Sequence, residues 1–287
     1  MNLAHLGQRS LMLGAGAAVT LSALGVPAAW PFAGKMYVHQ YTPQAFFDAA
    51  DAWLDVHDRA SDTRRNVRDL TRGVAASGWR SEDGRAFEQR VDAYLAGLRG
   101  IELRAVVTAL VLHTAGAALA AFILFQFLVA AALAAVAAWV LVAAVTPFSL
   151  MAARTAATQC LTRLFSVYRT TEKLLDQLLH GCAAALTATV AVQVGREVLR
   201  GDDTALKDLA SATMAQGPLL VWGTANRVER DLTAHALGGR PSSPLPAGLP
   251  QVAGAKAAYD VSTGSQAITG RHLPEQGADG SYSFPWE

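Results

Sequence analysis

The chain has 287 residues, of which 52% are hydrophobic and 16% charged, with a formal net charge of +1 at pH 7. An ordinary soluble domain carries about 25% charged residues, so this composition excludes a typical water-soluble globule. Acids and bases are interleaved, which excludes the one-sign stripe of a nucleic-acid-binding surface. Alanine and leucine dominate the apolar surplus, and both are strong helix formers, so an all-α fold is expected.

The first ten residues carry a single Arg9, and an apolar, Gly/Ala-rich run from Leu11 to Trp30 follows. A weakly basic start, an apolar core and the small residues of Val26-Pro27-Ala28 describe a secretory signal or an uncleaved anchor over residues 1–34. The alternative is a membrane or core helix ended by Pro27 and Pro31. Pro43 then opens a charged amphipathic helix, in which Phe47, Ala50, Leu54, His57, Val67, Leu70 and Val74 recur near helical spacing. Ser77-Gly78 breaks it. A second helix starts near Glu82 with Phe87, Val91, Tyr94, Leu95 and Leu98 on one stripe, Ser81 at the N-cap position and Gly84 allowing close approach. Residues 35–104 thus form a helical hairpin.

From Arg104 to Arg154 there is no intervening Asp, Glu, Lys or Arg. A bilayer crossing takes roughly 20 apolar residues, so residues 105–153 are long enough for a membrane hairpin of two crossings. Backbone polar groups in lipid must be satisfied within the segment, which leaves helix as its state. No Gly or Pro turn interrupts the block, and Phe125-Gln126-Phe127 is the expected reversal because Gln126 is its only midpoint amide. The Ala117-x-x-x-Ala121 and Ala131-x-x-x-Ala135 faces would permit close helix packing. Pro147 marks the far end. His113 is the only ionisable group inside, and no acidic neighbour in sequence accompanies it; an intramembrane histidine is by default a functional candidate, but a neutral imidazole bonded to a helix neighbour or lying near an interface costs little and is the preferred reading.

A helical pattern resumes from Phe148 to Arg200, with an uncharged Gly181–Val194 stretch too short for a full crossing. Gly201-Asp202-Asp203-Thr204 would cap a further helix, Gly217-Pro218 would interrupt it, and a last helix would end near Leu237, giving a helical region over residues 154–237. Residues 238–287 are Pro-, Gly- and Ser-rich and read as a disordered tail. Cys160 and Cys182 lack metal-ligand spacing and read as ordinary free cysteines. His57, between Asp55 and Asp58, reads as part of a solvated helix face, because neighbours one or two positions apart do not face each other. No nucleophile, phosphate-loop, metal or paired-carboxylate signature is present, so no catalytic, cofactor or metal residue is assigned and the protein reads as non-enzymatic.

The stretch Ser77-Gly78-Trp79-Arg80-Ser81-Glu82-Asp83-Gly84-Arg85-Ala86-Phe87 resembles the WXG100 proteins, helical hairpins exported by the type VII (ESX) secretion machinery. Trp79 matches the family tryptophan, and Phe87 lies where the family carries an aromatic on the second helix. Ser81 stands where the family has glycine. The resemblance covers about Pro43 to Arg104. It implies that Trp79, Ser81, Gly84 and Phe87 form a turn and interaction motif, and that the hairpin docks the secretion machinery or a partner hairpin. Tyr168-Arg169-Thr170-Thr171-Glu172 also fits the Tyr-x-x-x-Asp/Glu pattern of many type VII substrates, making Tyr168 and Glu172 a weak secretion-signal candidate.

These readings together predict a non-catalytic membrane protein linked to type VII secretion, either retained in the cell envelope or itself secreted, acting by helix–helix interaction and bilayer insertion. Its expected partners are the lipid bilayer, the secretion machinery or a partner hairpin, and a homo- or hetero-oligomer. Two alternatives stand beside it: a resident envelope protein whose hairpin is only structural, and a membrane-active toxin delivered by the same route.

Overall fold

The computed structural model describes residues 3–39, 41–76, 78, 81–199, 204–215, 275–276 and 282–283. The protein is all-α: α1 (Leu3–Ala23), a 3-10 turn (Pro27–Ala29), α2 (Trp30–Val38), α3 (Pro43–Ala76), α4 (Glu82–Ala143), α5 (Pro147–Leu199) and α6 (Ala205–Ala215). A two-residue antiparallel pair, β1 (Glu275–Gln276) with β2 (Tyr282–Ser283), is the exception and interrupts the segment expected to be disordered. The rest of that tail, the Gly201–Asp203 part of the expected cap, the Gly217-Pro218 break and the helix toward Leu237 lie outside the described residues.

The amphipathic pair forms where its sequence signals place it. Pro43 is the first residue of α3, and Gly78 adopts φ +80° in the turn that follows. The Ser81 hydroxyl accepts a hydrogen bond from the Gly84 N–H at 3.2 Å, which caps α4, and Glu82 and Asp83 complement the positive end of its dipole.

The apolar block departs from expectation. No reversal occurs at Phe125-Gln126-Phe127: α4 continues through it as one 62-residue helix. The turn comes at Ala144–Thr146, where the chemistry for it exists. Pro147 occupies the first position of α5, where its missing N–H costs nothing. Thr146 is the cap: its Oγ1 accepts from the Ser149 N–H at 3.2 Å, while Ser149 Oγ donates to the Ala143 carbonyl at 2.6 Å. Nothing between residues 105 and 143 supplies such a stop, and helix is the default in an Ala/Leu-rich run.

A single packing period explains why α4 persists. Its inward residues Leu98, Glu102, Ala105, Ala109, Gly116, Leu119, Ile123, Gln126, Ala130, Leu133, Ala137 and Val140 fall on alternating steps of three and four, apart from one seven-residue step between Ala109 and Gly116 that half-buried Leu112 divides, the spacing of a coiled-coil seam. Ala117, Ala121, Ala131 and Ala135 lie off that seam and are exposed, so the small-residue faces read from the sequence are not the packed ones. On α3 the same period selects Ala50, His57, Ala60, Arg64, Val67 and Thr71 and leaves Leu70 and Val74 exposed, contrary to the expected stripe.

The chain folds as two compact units. Unit 1 contains Met1–Tyr41, Ala121–Leu174 and Val194–Glu287. Its core joins α1 and α2 to the neighbouring parts of α4 and α5, with Leu21, Val26, Phe32, Met36, Ile123, Leu133, Leu161 and Tyr168 fully buried. The signal-like segment is therefore packed into this unit. Gly25 takes φ +84° to turn the chain after α1, and the Arg154 Nε donates to the Leu24 carbonyl there at 2.5 Å. α1 ends at Ala23, ahead of both prolines; Pro27 instead opens the 3-10 turn and Pro31 lies in the first turn of α2, so neither is the terminator the sequence suggested.

Unit 2 contains Thr42–Ala120 and Leu175–Gln193. Here α3 packs on α4 through Phe46 and Phe47, which approach the backbone of Gly116 so closely that an added Cβ would lie 3.1 and 3.0 Å from them. Gly116→Val should therefore lower the thermal midpoint of the full chain in detergent by an overpacking cost of about 1–3 kcal/mol. An unchanged midpoint by circular dichroism would show that α3 gives way freely at this point.

Candidate functional site

Several of the more shielded polar residues of unit 1 collect in one place. Lys35 and His39 sit one turn apart on and just after α2, Gln126 is on α4, and Tyr168 and Glu172 are one turn apart on α5. Lys35 Nζ donates to both Glu172 oxygens, at 2.7 and 2.9 Å, and His39 Nε2 stands 3.0 Å from Glu172 Oε1. His39 Nδ1 lies 2.8 Å from the Lys35 carbonyl oxygen. Gln126 Nε2 donates to the Tyr168 hydroxyl at 2.9 Å, whereas Gln126 Oε1 is buried without a hydrogen-bond partner.

Aromatic rings enclose these groups. Tyr168 packs against Phe32, Phe122 and Phe125 with centroids 6.1, 5.8 and 5.6 Å away, and His39 lies 5.4 Å from Phe122 and 5.8 Å from Tyr41. The fence excludes water and so strengthens each charge interaction inside it, while making an unpaired member costly. Chemically the cluster is a clamp: one carboxylate ties α2 to α5, and one amide–phenol bond ties α4 to α5.

Tyr168 and Glu172, the weak secretion-signal candidate of the sequence, stand at the centre of this clamp, with Tyr168 fully buried. Gln126, expected at a reversal, is a mid-helix seam residue. Lys35, His39, Tyr41 and Phe122 were missed. The available signal was that an isolated buried amide and an acid in an apolar context must each find partners, but their identity depends on the fold.

In unit 2, His113 does acquire an acid. Its Nε2 lies 3.6 Å from Asp51 Oδ1 on α3, and its ring stacks at 5.8 Å on Phe47. No sequence-local reading finds that neighbour. His57 likewise leaves the solvated face assigned to it: its Nδ1 lies 3.1 Å from the Glu102 carbonyl oxygen, beside the Arg64 Nε to Glu102 Oε1 ion pair at 2.5 Å. Of the turn motif, Ser81 caps α4, Gly84 is buried, Phe87 is exposed on α4, and Trp79 lies outside the described residues. Cys160 and Cys182 are both free and share α5.

Among the described residues two helices, α4 and α5, are long and apolar enough to cross a membrane. For α5 the uncharged run extends from Gln177 to Gly195, longer than the stretch first considered. Around the α4–α5 turn of unit 1 the apolar side chains project outward: Val142 is 73% exposed, Val145 85% and Phe148 87%, with Trp139, Leu141 and Met151 beside them. Comparison with protein-family models, curated proteins and solved structures gives no match to this chain.

Proposed function

We propose that the protein is a non-catalytic membrane protein of WXG100-like type, linked to type VII secretion, in which unit 1 inserts into a bilayer and the α3–α4 hairpin of unit 2 serves helix–helix interaction. The observation that carries the membrane part is the exposed apolar tip from Trp139 to Met151. A water-soluble chain rarely leaves so large a contiguous apolar patch uncovered, and the α4 segment 121–143, at 1.5 Å per residue, spans about 34 Å against a hydrocarbon core of about 30 Å. The clamp fits this role, because polar groups within an inserted bundle need internal partners. The link to type VII secretion rests on the resemblance of the turn, with Ser81 capping the second helix.

The test is fractionation of the expressing cells, with mass spectrometry of the N-terminus and a matched strain lacking the type VII ATPase. The chain should stay in the membrane pellet through a carbonate wash and retain α1, since α1 is part of the unit 1 core. Its appearance in the envelope or medium should depend on the ATPase. A carbonate-soluble chain overturns insertion. An ATPase-independent distribution overturns the secretion link and leaves a resident envelope protein. A second reading, membrane damage, is favoured by the same exposed tip and predicts dye release from vesicles, where an anchor would insert without leakage.

A further inference from the structure

Unit 2 holds a groove of about 470 Å³ between α3 and α4 into which four arginines point: Arg64, Arg68 and Arg72 from α3 and Arg99 from α4. The three on α3 follow each other at four-residue steps, so they stand in one row on one face. Like charges at that spacing destabilise a helix, and a row of three repeats the penalty. Two of the four are compensated: Arg64 by Glu102, and Arg72 by Asp69 at 3.5 Å. Asp62, which could have served the row, pairs with Arg65 instead. Among the described residues, no carboxylate lies within ion-pair distance of Arg68 or Arg99.

We propose that this groove binds a compact phosphate-bearing anion, held by Arg68 and Arg99 across the α3–α4 interface. Guanidinium forks match phosphate oxygens in paired, charge-assisted hydrogen bonds, and two forks from facing helices can grip one phosphate from opposite sides. The remaining walls limit what fits. Glu88 and Asp92 line the groove on α4, nearer the hairpin turn, and would repel an extended polyanion such as a nucleic acid strand. Val91 and Leu95 supply an apolar wall, which accommodates a phosphate attached to an organic group. The same chemistry is offered by free phosphate and by the headgroup of an anionic lipid. The groove lies entirely in unit 2, so this assignment does not depend on bilayer insertion by unit 1.

The experiment uses the full chain in detergent, titrated separately with inorganic phosphate, with the water-soluble lipid dihexanoyl-phosphatidylglycerol and with dihexanoyl-phosphatidylcholine, all at matched ionic strength. Binding is followed by calorimetry. Phosphate or the phosphatidylglycerol should bind, the phosphatidylcholine should not compete, and the double variant Arg68→Gln/Arg99→Gln should bind at least about tenfold more weakly, since each lost charged hydrogen bond is worth a tenfold step or more. Preference for phosphate identifies a soluble ligand, and preference for phosphatidylglycerol a lipid. Affinity unchanged in the double variant, equal binding of both lipids with no binding of phosphate, or no binding of any anion overturns the site. Circular dichroism of the double variant confirms that its helices are intact; the single variants Arg68→Lys and Arg99→Lys, which keep charge and lose the fork, should give intermediate affinity.

Discussion

Replacing Glu172 by alanine is expected to destabilise the full chain in detergent by about 3–5 kcal/mol, the usual cost of removing one partner from a buried ion pair. The loss is large because two groups depend on this one carboxylate: the Lys35 ammonium, bonded to both its oxygens, and the His39 ring, 3.0 Å from one of them. The Lys35 side chain is 19% exposed and the His39 ring 1%, so little water is available to replace the carboxylate. The Glu172→Gln variant keeps shape but not charge and should fall between. The decisive comparison is the pair Lys35→Met/Glu172→Met. Removing both charges together avoids an orphaned ion, so this double variant should regain much of the stability that Glu172→Ala loses. A Glu172→Ala midpoint within about 1 kcal/mol of the parent, below the range for a broken buried pair, would show that solvent reaches the clamp.

Tyr168→Ala should cost a similar amount, about 3–5 kcal/mol, because it removes a fully buried aromatic and leaves a cavity among Phe32, Phe122, Phe125 and Phe165. Tyr168→Phe isolates the hydroxyl. It fills the same space but strips Gln126 Nε2 of its acceptor, in a side chain whose oxygen already lacks a partner, and should cost about 1–3 kcal/mol. Adding Gln126→Leu to Tyr168→Phe removes the stranded amide and should recover that cost, which a double-mutant cycle measures directly. Both tyrosine variants also discriminate between the two roles of this residue. A displayed secretion signal would lose export in Tyr168→Phe with stability intact. A clamp residue loses stability first, and Tyr168→Phe, once folded, is distributed among medium, membrane and cytosol like the parent.

The two sets of variants share one physical theme. Serine and threonine hydroxyls of unit 1 bond back along their own helices, whereas Lys35, Gln126 and Arg154 are bonded across elements. In an interior from which water is excluded, such bonds specify which helix faces meet, since any other register would strand a charge. Gln126 illustrates this on α4. It occupies a seam position among Ile123, Ala130 and Leu133, where an aliphatic residue would pack equally well but would not select the face of α5 that carries Tyr168.

By itself the sequence determined the elements whose cause is local. The all-α class followed from composition, the start of α3 from Pro43, the cap of α4 from Ser81 with Glu82 and Asp83, and the start of α5 from Pro147. Each depends on residues within one turn of the feature. The absence of charge from Ala105 to Ala153 likewise marked the apolar run without reference to any fold. Tertiary structure decided the rest. A turn at Gln126 was plausible only while the amide was considered alone; its bond to a tyrosine 42 positions later makes it a packed residue in a continuous helix. The signal-like N-terminus was legible as apolar, but its place in the core of unit 1 depends on Lys35 meeting Glu172, 137 positions away. His113 and Asp51 stand on different helices, and Arg68 and Arg99 line one groove from opposite walls. Periodicity states which face of a helix is apolar, whereas the partner of a buried polar group is fixed only when two distant faces come together, because hydrogen bonds and ion pairs act over a few ångströms of space and not along the chain.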